Sequence, residues 1–586
     1  MSEETFTWPG WTRDVLQQPV PLDKPIQLDE YGIRFVNDNS RSPFYPFKLL
    51  EHIFTEQVLS TEIDALELGE NVETRALVRE VLGSDCSQSK TYIQIFATLK
   101  LIGKPHLIKV FVEKQISDQE LPISNNGSHY QLSKGRIIIP SIVLSSTALR
   151  LFRSEQYNTL VHFFNRRTGD LKGPQELKHA VVLPYYEISP GQASAGHDQV
   201  HGIYGSSATV SKILIHPLCH EFDDIFESLK DPDEDMYFAL KKFAGFKPEE
   251  FKDEVTVLDR YNGTRHPHLV TMVAAFSFNH TNYLIFPWAT HDLGMYWQTV
   301  RPTPDASDPG LVRWISYQAW MLVDAIRCMH VPEENTNIPE NDRIVGRHGD
   351  IKSENILWYK SGGEFGKLVI ADMGISKTHR WESKTYTRKG ETKRTPRYQP
   401  PELDFSKGRL GRTFDIWTLG CVFFEFLTWL YKGYAGLEKS KTRMTVPSIR
   451  GPESDEYFEW VYVKDRDYYS VRVKQAVTRD INILRKNCSQ FVYDFLDIIE
   501  NELLVVERND RISALELVIK MEKLHERCNN SREYCVQKAK RKPRAAQKPN
   551  LQARTFHESL ALVGKDKVPK VRAGSFIPVS TNYNIS

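Results

Sequence analysis

From Pro46 to Ile116 the apolar positions recur at helical spacing. Ile53, Val58, Ile63 and Leu66 fit one or two helices, Tyr92, Phe96, Leu99 and Ile102 fit another, and Leu107 to Phe111 begins a further one. Arg136 to Val143 reads as a strand or buried extended segment, and Tyr157 to Phe164 as one more helix. Before them, residues 1–45 are rich in Pro, Asp and aromatics without a period, which predicts a loosely packed lead-in. The period then changes. Phe238-Ala239-Leu240-Lys241 alternates apolar and small residues like a strand, and Tyr283 to Ala289 is a second apolar strand. Pro248 to Tyr261 returns to helical spacing, with Phe251, Val255 and Leu258 on one face and Glu254 beside them. Ile416 to Tyr431 is apolar nearly all round, as a helix at the centre of a core should be.

Composition narrows this picture only slightly. A chain of 586 residues is too long for one core, so about three or four domain-sized units are expected. The net charge of +1 makes no global case for a nucleic-acid partner. Seven scattered cysteines form no C-x-x-C pair and no metal spacing, which suits a reducing compartment. The acidic start, Met1-Ser2-Glu3-Glu4, has no apolar run behind it, so no secretory signal is expected. Ile416 to Tyr431 is too short to span a bilayer and contains Glu425. Residues 331–345 are polar and read as a surface excursion, while Lys538 to Arg544 is a dense basic run in a tail of low hydrophobicity.

The chemistry concentrates in His348-Gly349-Asp350-Ile351-Lys352-Ser353-Glu354-Asn355, followed by Ala371-Asp372-Met373-Gly374. One short loop brings together an acid, a lysine and an amide, which is what phosphoryl transfer needs. The pair resembles the catalytic loop H-R-D-x-K-x-x-N and the metal loop D-F-G of eukaryotic protein kinases. The resemblance implies Mg²⁺·ATP-dependent transfer, with Asp350 orienting the acceptor hydroxyl, Lys352 steadying the migrating phosphate, and Asn355 and Asp372 holding Mg²⁺. Lysine at that position is the Ser/Thr-kinase type. Lys241 then corresponds to the third-strand lysine that contacts the nucleotide phosphates, and Glu254 to its helix partner. His266-Pro267-His268-Leu269-Val270 looks like the turn into the fourth strand. Phe286 would be the gatekeeper, and the Pro287–Ala289 backbone, with Trp288 in the middle, would hold adenine. Downstream, Thr395 to Glu402 resembles the end of an activation segment, and Asp415-Ile416-Trp417-Thr418-Leu419-Gly420 the start of the central helix, with Asp415 suited to cap it and to tie down the catalytic loop. Arg511 matches the late arginine that pairs with the segment's glutamate, here Glu402. Taken singly, each piece has an ordinary reading as a turn or a solvated lysine. Their order along residues 198–527 is what makes the set specific.

Two departures stand out. Registering Val210 on the valine of G-x-G-x-x-G-x-V leaves Ile203, Gly205 and Ala208 at the glycine positions, so only the central glycine is kept and weakened nucleotide binding is expected. Gly349 replaces the arginine that in the family receives a phosphorylated activation segment. The expected architecture is a bilobal α+β protein-kinase fold: residues 1–45 lead-in, 46–190 helical accessory domain, 198–289 N-lobe, 290–527 C-lobe and 528–586 basic, disordered tail. The accessory domain resembles the uncharacterised N-terminal regions attached to kinase-like domains in filamentous fungi. The expected function is a Ser/Thr protein kinase, and the alternative is a pseudokinase scaffold that keeps the fold. A nucleic-acid module acting through the tail accounts for little of the chain. No membrane and no specific nucleic acid are expected as partners; the protein substrate and any accessory-domain partner are not specified. An intracellular location is expected, cytoplasmic or nuclear, with Lys538–Arg544 as a candidate import signal.

Overall fold

Thr55 accepts the Val58 amide and starts a helix, Glu56–Asp64, whose Val58, Leu59 and Ile63 turn inward. That helix is one of six α-helices described before residue 165 in a computed structural model, which describes residues 20–34, 42–67, 71–83, 90–126, 129–133, 135, 137–138, 145–165, 173–177, 181–188, 208–226, 229, 236–243, 248–261, 265–331, 344–361, 363–373, 377–380, 396–405, 411–448, 451–463, 468–540 and 552–553. The others are Phe47–Ile53, Asn71–Leu82, Ile93–Leu101, Ile108–Glu113 and Ser146–Thr159. Ile93–Leu101 has no cap from its own flank. Asp118 supplies one instead, accepting the Ile95 amide at 2.9 Å, the Gln94 amide at 3.1 Å and the Thr91 hydroxyl at 2.7 Å. Burial raises this carboxyl to about 7 against those hydrogen bonds.

The chain divides into two compact units, residues 1–255 with 272–288, and residues 256–271 with 289–586. In the first, a six-stranded sheet runs in the order Gln175–Glu176, Ala274–Phe278, Thr281–Pro287, Tyr237–Phe243, Ala208–Ile215, Tyr185–Glu187. All neighbours are antiparallel except the first pair. One hydrophobic cluster extends from Ile26 in the lead-in, through Phe96, Phe111 and Phe152 of the helices, to Phe238 and Ile285 of the sheet. The helical region and the sheet therefore share a core. Residues 20–34 and 42–45 pack more tightly than a lead-in should, because Ile26, Leu28, Ile33, Phe44 and Tyr45 all enter that cluster. The helix expected over Tyr157–Phe164 lies earlier, at Ser146–Thr159, where the Ser145 hydroxyl accepts the Ala148 amide. Beyond Leu160 the chain is extended, bridging Val161 to Val182 and Phe164 to His220. Within Arg136–Val143 the described strand is Ile137–Ile138.

The second unit is mostly helical. Pro309–His330 begins with proline at its first position and the Asp308 carboxylate on the Gly310 amide at 2.7 Å. The apolar helix at the centre runs from Thr413 to Met444, longer than Ile416–Tyr431, and is interrupted at Gly433. There φ is +63°, the Tyr434 amide donates to the Pro302 carbonyl at 2.8 Å, and a Cβ would sit 2.7 Å from that carbonyl oxygen. The helix is long and apolar enough to cross a membrane by composition, but 94% of its most apolar window is buried within the fold. After it come two unexpected hairpins, Val446–Ser448 with Gly451–Ser454 and Phe458–Val463 with Tyr468–Val473. The tail reading also needs correction over residues 528–540. Arg532–Val536 is helical, Cys528, Tyr534 and Cys535 are buried, and the Ala539 amide donates to the Cys488 carbonyl. Gln552–Ala553 pairs with Tyr468–Val473, while Arg541 to Arg544 lie outside the described residues.

Candidate active site

In the first unit, the strand Tyr237–Phe243 carries Lys241 and the helix Pro248–Arg260 carries Glu254, and the two meet with Nζ 3.2 Å from Oε1. Phe251 and Val255 anchor that part of the helix inside, and the Phe251 ring lies 5.5 Å from that of Phe243. The pair is partly shielded, with Lys241 20% and Glu254 8% exposed. Val210 faces Lys241 across the sheet, and Ala208 is the first residue of its strand. Ile203 and Gly205 fall outside the described residues. The preceding described strand ends at Glu187, and residues 189–207 lie outside the described residues. Phe286 is half-buried opposite Ala239. The Trp288 amide already donates to the Tyr237 carbonyl at 3.0 Å, so this one of the expected adenine contacts is taken within the sheet. Ala289 belongs to the second unit.

In the second unit the catalytic loop is held by a fully buried carboxylate. Asp415 accepts the His348 amide at 2.9 Å, the Gly349 amide at 2.8 Å and His330 Nε2 at 2.8 Å. It is the third residue of the helix beginning at Thr413 and does not cap it, because both its oxygens are turned to the loop and to His330. Burial would raise its pKa, but the hydrogen bond and charge of His330, then His348 and the Gly349 amide, bring it below the ordinary value. His348 in turn accepts the Asp350 amide at Nδ1 and reaches the Ala371 carbonyl with Nε2 at 2.9 Å. In that pattern Nε2 is the donor and Nδ1 the acceptor. It also joins the acid-bearing loop to the residue before Asp372.

Around Asp350 the side chains converge. Lys352 Nζ lies 3.2 Å from Asp350 Oδ2. Asn355 Nδ2 donates to the same oxygen at 3.1 Å and to the Asp350 carbonyl at 2.8 Å. Using its NH₂ inward leaves the Asn355 amide oxygen for another partner. Asp372 is exposed at φ +60°, a backbone state uncommon for a residue with a side chain, and the preceding Ala371 amide is fixed on the Asn355 carbonyl at 2.9 Å. Gly374 lies outside the described residues.

Two buried ion pairs anchor the segment that follows. Arg511 makes a fork with Glu402, both contacts at 2.7 Å, and also reaches the Thr413 and Val505 carbonyls. The second pair was not anticipated. Arg397 binds Glu425 through Nε at 3.0 Å and Nη2 at 2.8 Å, and the Tyr398 and Tyr457 hydroxyls complete the carboxylate at 2.8 and 3.0 Å. Burial disfavours charge on Arg397, but Glu425 overrides it and the pKa ends above its ordinary value. A glutamate inside an apolar helix was the signal, since a buried charge must have a partner.

A profile of the family described as protein kinase domain matches residues 227–522. The chain belongs to this family. Among curated relatives it is 30% identical to cyclin-dependent kinase 2 of Caenorhabditis elegans over 161 residues, covering 28% of this chain and 38% of that protein. Cyclin-dependent kinase 8 of Drosophila melanogaster is 26% identical over 174 residues, 28% and 34% of the two chains. Mitogen-activated protein kinase 12 of Danio rerio is 23% identical over 260 residues, 43% and 61%. The matched stretches thus span about a third of the length of the first two relatives. The kinase match begins after the strands Tyr185–Glu187 and Ala208–Ile215, which nonetheless belong to the kinase sheet.

Proposed function

We propose that the chain is a Mg²⁺·ATP-dependent protein Ser/Thr kinase that transfers the γ-phosphoryl group to a protein hydroxyl. The observation that carries this reading is the clamp on Asn355: its NH₂ is committed to Asp350, which leaves an amide oxygen, the donor type a hard cation takes. With the carboxylate of Asp372, Asn355 would hold Mg²⁺, whose chemistry when bound is to neutralise charge on the phosphates. Two protein donors fit a small cation that keeps water and phosphate oxygens in its remaining positions. Asp350 orients the acceptor hydroxyl and takes its proton, and Lys352, beside it, offers positive charge to the phosphate in transit. Lys241, oriented by Glu254, takes the nucleotide phosphates. Radiolabelled phosphate transfer to a generic basic protein tests this. Asp350→Asn and Asp372→Asn should each lower the rate by several orders of magnitude without loss of fold, and equal turnover in all three proteins rules the assignment out.

The second reading, a scaffold without transfer, is favoured by the phosphate-binding segment, where the third glycine position is Ala208 inside a strand. Nucleotide linkage separates the two. Mg²⁺·ATP at about a hundred times its Kd should add roughly 2.7 kcal/mol of stability to a working site. No shift in melting with millimolar nucleotide, with or without metal, selects the scaffold.

A further inference from the structure

The helix Gln475–Arg485 has an inner and an outer face. Inward, Val477, Ile481 and Leu484 are buried, and every charge on that side is matched. Asp480 takes Arg443 at 2.7 Å, the Ser440 hydroxyl at 2.6 Å and Lys432 at 3.6 Å, while Arg485 is held by Asp497 and Glu500. Outward, Gln475, Thr478, Arg479, Asn482, Ile483 and Lys486 follow the spacing of a single helix face and line a depression of about 710 Å³. Arg472 and Val473 close its other side. Arg472 is backed by Glu459 at 2.8 Å, which also accepts the Gln475 amide. Arg479 and Lys486 are exposed, and no ion pair or hydrogen bond ends on either side chain among the described residues. Among the described residues, three cations against one carboxylate leave the depression with two uncompensated positive charges.

Its size is that of a ligand site, about 300–1,000 Å³. None of its lining residues is aromatic, so it offers no platform for stacked bases, and its exposed apolar surface is essentially Ile483, too little to enter a membrane. The strand that carries Arg472 is paired along its length by Phe458–Val463 and, at Ser470 and Val471, by Gln552–Ala553, and the side chains that line the depression offer the charged contacts. Arg479 and Lys486 are seven residues apart on a continuing helical face, about 10 Å along the axis. A peptide in the polyproline II conformation repeats every three residues and rises about 3.1 Å per residue, so anionic side chains three positions apart share one face about 9 Å apart and match that spacing. We propose that this face docks an acidic protein segment in the polyproline II conformation, with two anionic side chains three residues apart on Arg479 and Lys486 and an apolar residue between them beside Ile483.

Fluorescence anisotropy with the full chain tests this, using labelled ten-residue peptides that carry two glutamates, or two phosphoserines, three residues apart around a leucine. The two arms distinguish intrinsic acidity from phosphorylation as the source of the charge. Wild type should bind at least one of them, and Arg479→Glu with Lys486→Glu should weaken that binding at least tenfold while melting and Mg²⁺·ATP affinity stay unchanged. Moving the anionic residues next to each other should weaken it at least threefold. Equal binding by the double variant, indifference to spacing, or tighter binding of a single-stranded oligonucleotide or of anionic vesicles overturns the proposal.

Discussion

Asp415 Oδ1 accepts the backbone amide of Gly349 at 2.8 Å, and Gly349 sits there at φ +84°. The residue whose side chain is missing relative to the kinase pattern is thus one whose backbone geometry an L-side chain tolerates poorly. The loop is held through its main chain, by a carboxylate inside the core.

Removing that carboxylate should be felt throughout the loop. Asp415→Ala leaves two loop amides and His330 without their acceptor, and we expect a loss of about 3 kcal/mol in urea unfolding. Because its pKa is held below the ordinary carboxylate value, the stability Asp415 contributes is present above about pH 4 and is lost as pH falls through the folded value. A wild-type and an Ala variant that unfold at the same urea concentration would remove Asp415 from this role.

At Gly349, substitution by Ala should cost about 1–2 kcal/mol from the left-handed backbone alone. The missing arginine also removes the usual contact to a phosphorylated activation segment. Its acceptors Thr385, Thr387 and Thr392 fall outside the described residues. Protein treated with phosphatase, or with these three changed to Ala, should keep most of its transfer rate. A loss of more than tenfold, about 1.4 kcal/mol of transition-state stabilisation, would show that another cation reads the phosphate.

Arg511 and Glu402 are both buried, so deleting either alone strands a charge. Arg511→Met should cost about 3–5 kcal/mol, and adding Glu402→Leu should restore part of it, as measured by a double-mutant cycle. Additive losses would show that the two act separately.

His216 and His220 lie buried in the core shared by helices and sheet, with burial pushing them down to about 3 and about 4. The unfolded chain takes up these protons near pH 6.5 and the folded one does not, so their contribution is full above pH 6.5 and is lost as pH falls toward 4. Each should steepen the pH dependence by up to about 1.4 kcal/mol per pH unit in that window. His216→Asn, which keeps an acceptor for the Leu218 amide, should flatten the slope between pH 6.5 and 5; an unchanged slope would assign the acid sensitivity elsewhere.

Spacing made the helices around Ile53, Val58, Phe96 and Leu99 legible, because in each a buried apolar residue recurs every three or four positions despite their short length. The catalytic loop was legible for a different reason: Asp350, Lys352 and Asn355 act on one another within six residues. Where the sequence misled, local signals competed. Tyr157–Phe164 has helical spacing, but the Ser145 cap and the inward Leu149, Phe152 and Gln156 set the helix earlier. The alternation in Phe458-Glu459-Trp460-Val461 was readable as a strand, yet nothing in the kinase order calls for a hairpin there. Arg511–Glu402 joins residues 109 apart, a distance at which only the family order names a partner, whereas Arg397–Glu425, 28 apart, was named neither by that order nor by local periodicity.

The single core running from Ile26 to Ile285 bears on how such a protein can be inherited. The kinase match starts at residue 227, but a gene fragment cut there would carry half a sheet and none of the helices that close over it. Recombination could move this kinase intact only together with its N-terminal helices, so the two travel as one heritable piece rather than as a catalytic module with a detachable appendage.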